Sequence, residues 1–552
     1  MSRRNCVVVV LLFTLLSCSK EQGDDSSPPP NFSATGIKIN GQPANSSKYN
    51  IGVSSAVAFS FSSAINKSTV NSAFSFTNKS GDAVAYAASY ENNDKTVVLR
   101  PSANLKYLTS YSVSVATSLQ SVDGGHLISN LGVNFTTTID SSRKFAIISD
   151  DSLLTLVQQQ TFKYFWDFGH PVSGMARERN TSGETVTTGG TGFGIMTIPV
   201  AITRNFIARG DGLARVQKIV GFLKNNAQHF HGALSHWLNG STGAVVPFAA
   251  NDDGADLVET SYLIMGLLTA RQYFDAADTS EIKLRADIND IWNQVEWDWF
   301  RQNGQDVLYW TWSPNSRWGV NVPVQGWNES LITYVLAASS GAQAIPKIVY
   351  DNGFARNGAM LNNSTYYGYT LPLGEPYGGP LFVEHYSFLG IDPHSLRDSY
   401  ADYQTQTLNH TRINYEYCRA NPKQYFGYSD SCWGLTASDV QNGYTASSPT
   451  NDVSVIAPTT AISSIPYTPA ESMKALKFFY YVLGDKLWGE YGFKDAFSLQ
   501  NLWFADSYLA IDEGPILAMI ENYRTGLLWN LFTSCPEVKS GMTALGFNAP
   551  YL

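Results

Sequence analysis

From Leu257 to Leu268 the chain runs Leu-Val-Glu-Thr-Ser-Tyr-Leu-Ile-Met-Gly-Leu-Leu, apolar on nearly every side once past its first turn. A helix with no polar stripe must be covered on both flanks. Such a helix needs a large domain with an inner layer. Apolar residues also recur at helical spacing in Leu153–Trp166 (Leu153, Leu154, Val157, Phe162, Phe165), which predicts an amphipathic helix. The same reading predicts helices over Leu213–Phe230, Asp256–Phe274, Ile282–Trp299, Trp327–Ser339, Glu471–Leu483 and Pro515–Phe532. The expectation is an all-α domain spanning residues 148–540, in which inner helices meet the core and outer ones wrap them. Loops rich in Gly, Ser, Pro and Tyr, at 363–380 and 421–470, are unusually long for a compact fold, and loops of that length usually carry function.

At 552 residues the chain exceeds one ordinary domain. Between residues 34 and 140 the period shortens to two: Val57-Ala58-Phe59-Ser60-Phe61-Ser62 and Tyr111-Ser112-Val113-Ser114-Val115 alternate, with turns at Asn92-Asn93-Asp94 and Asp123-Gly124-Gly125. Short alternating strands punctuated in this way predict a β-sandwich. The flanking details resemble bacterial Ig-like modules, and with no catalytic constellation in this part, a spacer is expected.

The first residues read as an address. Arg3 and Arg4 precede an apolar run, Val7–Leu16, too short to span a bilayer permanently. Residues 1–17 are therefore expected to be a signal peptide. Leu15-Leu16-Ser17-Cys18 resembles the bacterial lipobox, in which the Cys takes a lipid. The acidic stretch after Cys18 resembles a surface-export signal of Bacteroidetes-type lipoproteins. Residues 18–33, with Ser26-Ser27-Pro28-Pro29-Pro30, read as a tether. The expected location is the outer membrane, facing outward and anchored rather than spanning, or otherwise the periplasm.

A net charge of −9 with no Lys/Arg cluster argues against nucleic acid. Aromatics at 13% with charged residues at only 15% suit ring faces offered to neutral, hydroxyl-rich ligands, or a core of bulky residues. After Cys6 and Cys18, the cysteines Cys418, Cys432 and Cys535 remain. One bridge, such as Cys418–Cys432, is open to them. No metal site is expected, because neither a CxxC motif nor a His cluster occurs.

Three groups of carboxylates could do acid/base chemistry. Asp252, Asp256 and Glu259 share one helical face if the helix begins near Asp252; capping by Asp252 or Asp253 is the plainer alternative. Glu329 follows Trp327 at a helix start, after the aromatic run Tyr309–Trp312, where rings would strip solvent and raise its pKa. Asp512 precedes Gly514-Pro515; with Pro515 at the first helical position, Asp512 lies just outside the helix, beside Glu513. Asp439 closes Cys432-Trp433-Gly434-Leu435-Thr436-Ala437-Ser438, small and aromatic as a sugar-facing loop is. Trp237 reads as a stacking platform or as a core residue.

Taken in order from Phe162 to Trp529, these segments resemble the glycoamylase-like group of bacterial carbohydrate enzymes. They include Gly189–Gly194, matching a Gly-rich segment before an inner helix, His231–Trp237, Asn251–Thr260, Phe382–Ser387 with Gly390–Pro393, Cys432–Asp439 and Ile511–Pro515, and the match implies His236, Trp237, Glu384 and His385 as binding candidates. Within the group they are most similar to glycoside hydrolase family 144, which acts on β-1,2-glucans. The resemblance implies an (α/α)6 toroid, cleavage of β-1,2-glucan with inversion, Glu329 as general acid and Asp512 as the base that activates water. No cofactor is implied, and a monomer is expected. Asp-Glu-Gly-Pro departs from the group's commoner Asp-Gln-Gly-Pro, which keeps Glu513 open as the base. Another glucosidase, a polysaccharide lyase and a non-catalytic glycan-binding lipoprotein remain the rival readings.

Overall fold

The computed structural model describes residues 29–44 and 48–552. The signal peptide and Cys18 lie outside the described residues. The chain divides into two compact units, Met1–Ile139 and Asp140–Leu552.

The first unit is a β-sandwich. One sheet takes the order β2-β1-β4-β7-β6, with β1 Ala34–Ile39, β2 Gln42–Pro43, β4 Val57–Phe61, β6 Tyr86–Glu91 and β7 Thr96–Pro101; the other is β3-β9-β8-β5, from Lys48–Ile51, Leu131–Thr137, Ser110–Val115 and Phe74–Asn78. Strand alternation fixes the register by turning one set of side chains inward. Val57, Phe59 and Phe61 are buried and meet Phe76, Val113 and Phe135 of the opposite sheet. Phe32, expected in the tether, instead belongs to this core and packs edge-on against Phe61 at 5.8 Å.

The second unit is helical. Outer and inner segments alternate along the chain in six pairs. The inner segments are α2 Thr188–Thr203, α4 Leu257–Tyr273, α6 Leu331–Ser339, the 3₁₀ turns Leu381–Glu384 and Ser387–Leu389, α8 Pro458–Ser463 and α10 Ala510–Thr525. The outer ones include α1 Asp150–Trp166, α3 Arg209–Asn225, α5 Thr279–Gln294, α7 Tyr403–Ala420 and α9 Pro469–Tyr481. The inner helix α2 packs between α4 and α10, α10 meets α8, and α4 meets α6. The 3₁₀ turns close the ring: Ser387 Oγ accepts from Ile332 N at 3.0 Å, and His385 Nε2 meets Ser464 Oγ at 2.9 Å. Glycines bring α2 and α4 backbone to backbone, since a Cβ at Gly192 would lie 2.2 Å from Tyr262 O and one at Gly266 2.2 Å from Gly192 O.

Several boundaries differ from expectation. The segment Gly189–Gly194, expected before an inner helix, lies inside α2. Helix α4 starts at Leu257, so Asp252 precedes it and the cap is Asp256. Helix α10 starts at Ala510, which puts Asp512 and Glu513 in its first turn and Pro515 within it. Helix α7 and the short α8, inside stretches expected to be loop or left unassigned, were not legible as helices. Residues 541–552 belong to the helical unit, where Phe547 packs on Tyr350. Cys418, Cys432 and Cys535 are free, buried thiols, so the Cys418–Cys432 bridge is not formed. No helix among the described residues is long and apolar enough to cross a membrane.

Candidate active site

The inner segments gather their N-terminal ends around one cleft of about 510 Å³, lined among others by Arg179, His236, Trp237, Glu259, Tyr262, Trp310, Glu329, Tyr386 and Tyr444. Helix N-termini carry partial positive charge and unpaired N–H groups, so carboxylates collect there. Glu259 Oε2 accepts from Gly189 N, the start of α2, at 2.7 Å, and Asp256 caps α4 by accepting from Glu259 N at 2.9 Å.

His236 joins the first carboxylate group. Its Nδ1 donates to Asp256 Oδ2 at 3.0 Å, and its Nε2 lies 3.9 Å from Glu259 Oε1. Burial opposes charge on this imidazole, but Glu259, Asp256 and Asp252 outweigh it and raise its pKa to about 9. Asp252, partly buried and beside Asp256, is itself pushed up to about 6. Asp252, Asp256 and Glu259 therefore do share a site, held together by His236 rather than by one helical face. Trp237 lines the cleft, packs on Phe248 at 4.9 Å, and buries an indole N–H that has no protein partner.

Glu329 stands just ahead of α6, its carbonyl held by Ser387 Oγ and by the Tyr262 hydroxyl at 3.4 Å. Its carboxyl faces the cleft. Loss of solvent, reinforced by the charges of Glu259 and Asp256, pushes it up to about 7. A carboxyl that stays protonated near neutrality can donate to a leaving oxygen.

The second carboxylate group is nearly buried: Asp512 is 3% exposed and Asp495 4%. The two carboxyls are close enough for each to shift the other, and the crowding of like charges favours one proton held between them. Asp439 N donates to Asp495 Oδ2 at 2.7 Å, while Asp439 itself pairs with Arg179 at 3.1 Å. Burial first, and then the charge of Asp495, raises Asp512 well above the ordinary carboxyl range; burial likewise raises Asp495 to about 7. The Tyr386 hydroxyl, which lines the cleft, lies in the field of both Asp512 and Glu329. Asp439 thus sits beside the cleft as expected, while Asp495, Arg179, Tyr386 and Tyr444 went unnoticed in the sequence.

Five expected site residues lie elsewhere. Trp433 is fully buried, its indole donating to Glu471 O at 3.3 Å, so it cannot stack on a sugar. Glu384 is buried beneath the site, where Oε1 accepts from Trp327 Nε1 at 3.0 Å, Gln406 Nε2 at 2.8 Å and His410 Nδ1 at 2.9 Å. That cluster takes Trp327 out of the cleft as well. His385 is buried, and desolvation lowers its pKa to about 3. Glu513, the fallback base, is buried toward Thr161 and Tyr164 of α1, in the field of Asp495 rather than among the residues that line the cleft.

Comparison with known proteins fits this geometry. A family model described as "Putative glucoamylase" matches residues 321–536, and a bacterial Ig-like domain model matches residues 35–137. An endo-β-1,2-glucanase from Chitinophaga pinensis, solved with sophorotriose and glucose, is 51% identical; the match covers 74% of this chain and 100% of that one, with a TM-score of 0.72. The chain belongs to the glycoamylase-like glycoside hydrolases. Its relatives in this family resemble family 144. A β-1,2-glucanase structure from Parabacteroides distasonis is 36% identical over 94% of this chain and 74% of that one, with a TM-score of 0.71. An exo β-1,2-glucooligosaccharide sophorohydrolase (non-reducing end) from the same organism is 44% identical over 418 residues, 72% of this chain. The chain spans 58% of that relative's length.

Proposed function

We propose that this glycoside hydrolase cleaves β-1,2-glucan with inversion, Glu329 donating a proton to the leaving oxygen and Asp512 activating water. One observation carries the reading: a cleft-facing carboxyl held near pKa 7 shares Tyr386 with a second carboxyl group that holds a proton in common. For Asp512 to take a proton from water the shared proton must lie on Asp495, which leaves the Asp512 carboxylate free. Inversion needs only this acid and base, so no covalent intermediate is drawn. The relatives' β-1,2-glucan substrates support the linkage. Among the described residues, the cations that line the cleft, Arg179 and His236, are both paired with carboxylates, which disfavours uronate substrates and hence a lyase.

The test is release of reducing ends from linear β-1,2-glucan, compared with other neutral glucans and with uronate polymers, following the anomer first formed. Preferential release from β-1,2-glucan as the α-anomer is expected. A β-anomeric first product would overturn inversion, and saturable binding without product would move the chain to the glycan-binding reading.

We further propose a monomeric lipoprotein, lipidated at Cys18 and facing outward on the outer membrane, with the Ig-like unit as spacer. Full-length protein should fractionate with membranes and Cys18→Ala should not. Equal membrane retention of both would refute the anchor.

A further inference from the structure

A second cavity, about 670 Å³, shares Arg179 and Tyr444 with the cleft and is also lined by Asn180, Asp439, Trp503 and Asp506. The state of the aromatic rings separates this cavity from an ordinary surface hollow. Of the chain's 13 tryptophans, all but Trp310 and Trp503 have their rings packed against another ring or a cation. For example, Trp299 stacks on Trp318 at 4.8 Å and Trp166 lies under Arg215 at 4.3 Å. Trp310 lines the cleft and Trp503 lines the second cavity. At their junction the ring of Tyr444, 49% exposed, likewise has no ring partner among the described residues. Three unpaired faces therefore run from the catalytic cleft outward.

Trp503 is also held rigidly. It pairs with Ser498 in a short hairpin, whose turn places Leu502 at φ 51° and is tied by Asn501 N donating to Ser498 Oγ at 3.2 Å. A bulky residue at positive φ costs energy and persists only where the surroundings fix it. A large amphipathic ring fixed at a cavity wall with no protein partner suits the apolar face of a sugar. Around it the carboxylates of Asp439 and Asp506, which already accept from Arg179, Ser507 and Lys494, keep further lone pairs for hydroxyls, and no cluster of cations lines the cavity.

We propose that the Trp503 cavity is a further glucosyl subsite that continues the catalytic cleft past Tyr444, with the indole of Trp503 as its stacking platform. This rests on the β-1,2-glucan reading above. It makes the enzyme's preference depend on chain length, because only a substrate long enough to pass Tyr444 reaches the platform.

The experiment compares KM and kcat for wild type, Trp503→Ala and Trp503→Phe on β-1,2-linked gluco-oligosaccharides of increasing length and on the polymer. In parallel, calorimetric titration of the same oligosaccharides into Glu329→Gln, with and without Trp503→Ala, reads binding apart from turnover. The expected result is a loss in kcat/KM and in affinity that grows with length, reaching roughly three- to tenfold on long chains, with most of it restored by Trp503→Phe. A loss equal at every length, or none at any length, would overturn the subsite while leaving the β-1,2-glucan reading intact. No product from any β-1,2-linked chain with wild-type protein would overturn that reading and the subsite with it.

Discussion

Two groups of carboxylates make up the site, and they cope with crowding in opposite ways. In the first, His236 stands between Asp256 and Glu259 and is itself raised to about 9, and Glu329 beside them is pushed up to about 7. In the second, Asp495 and Asp512 have no cation of their own; Arg179 is spent on Asp439 and Glu178, so the pair shares a proton. Like charges in a poorly solvated site must be offset by a cation or by a proton. The lesson is that the nature of the offset sets the role. The cation-balanced side leaves one isolated acid protonated, and the proton-balanced side leaves one carboxylate basic.

The contrast breaks most sharply at Asp495. Asp495→Asn removes the shared proton's second owner, and kcat on β-1,2-glucan should fall by roughly 10²- to 10³-fold; a kcat near wild type would show that the pair plays no part in catalysis. On the other side, His236→Gln strips the cation from Asp256 and Glu259. The alkaline limb of kcat/KM, expected near pH 7 in wild type from Glu329, should move upward, with kcat/KM falling roughly tenfold. An unmoved limb would separate Glu329 from that group.

Stability against pH sharpens the comparison further. Glu329 and Asp495, each pushed up to about 7, and His236, raised to about 9, all bind protons more tightly in the folded protein. Their contribution is complete below the unfolded pKa values and is lost as pH rises through the folded ones. Tm should therefore fall by roughly a few degrees between pH 5 and pH 9, with a smaller fall in Glu329→Gln. A rising Tm over that range would contradict the assigned directions. The smallest effect on catalysis is expected beneath the site. Glu384→Gln weakens the acceptor of Trp327, Gln406 and His410, so it should cost about 1–3 kcal/mol in denaturant unfolding while changing kcat by less than about twofold.

How much of this was legible in the sequence follows from what each segment turns inward. Helices α4 and α10 bury apolar residues nearly all round, and their runs announced them. Helix α7 was invisible because it turns Gln406, Thr407, His410 and Asn414 inward, which erases the apolar period that sequence reading relies on. The start of helix α2 was misplaced because its glycines, residues of poor helix propensity, serve here as contact points with α4. In the site, Asp256 and Glu259 were marked by clustering, whereas Glu329 and His236 were marked chiefly by the family resemblance. Asp495 was not, as it is one acid in Phe493-Lys494-Asp495-Ala496-Phe497, brought to Asp512 only by tertiary packing. Trp433 misled for the opposite reason: a Trp among small residues reads equally well as a platform or as a core residue, and here it is core.

The measurement that tests the account most directly assays Glu329→Gln and Asp512→Asn on two substrates. One is β-1,2-glucan and the other is an aryl β-sophoroside whose phenol leaves without protonation. Both variants should lose roughly 10³-fold or more on glucan, and only Glu329→Gln should recover on the aryl substrate, since a good leaving group dispenses with the acid but not with the base. Recovery by Asp512→Asn, or glucan activity surviving Glu329→Gln, would contradict the assignment and move the roles to other carboxyls of the two groups.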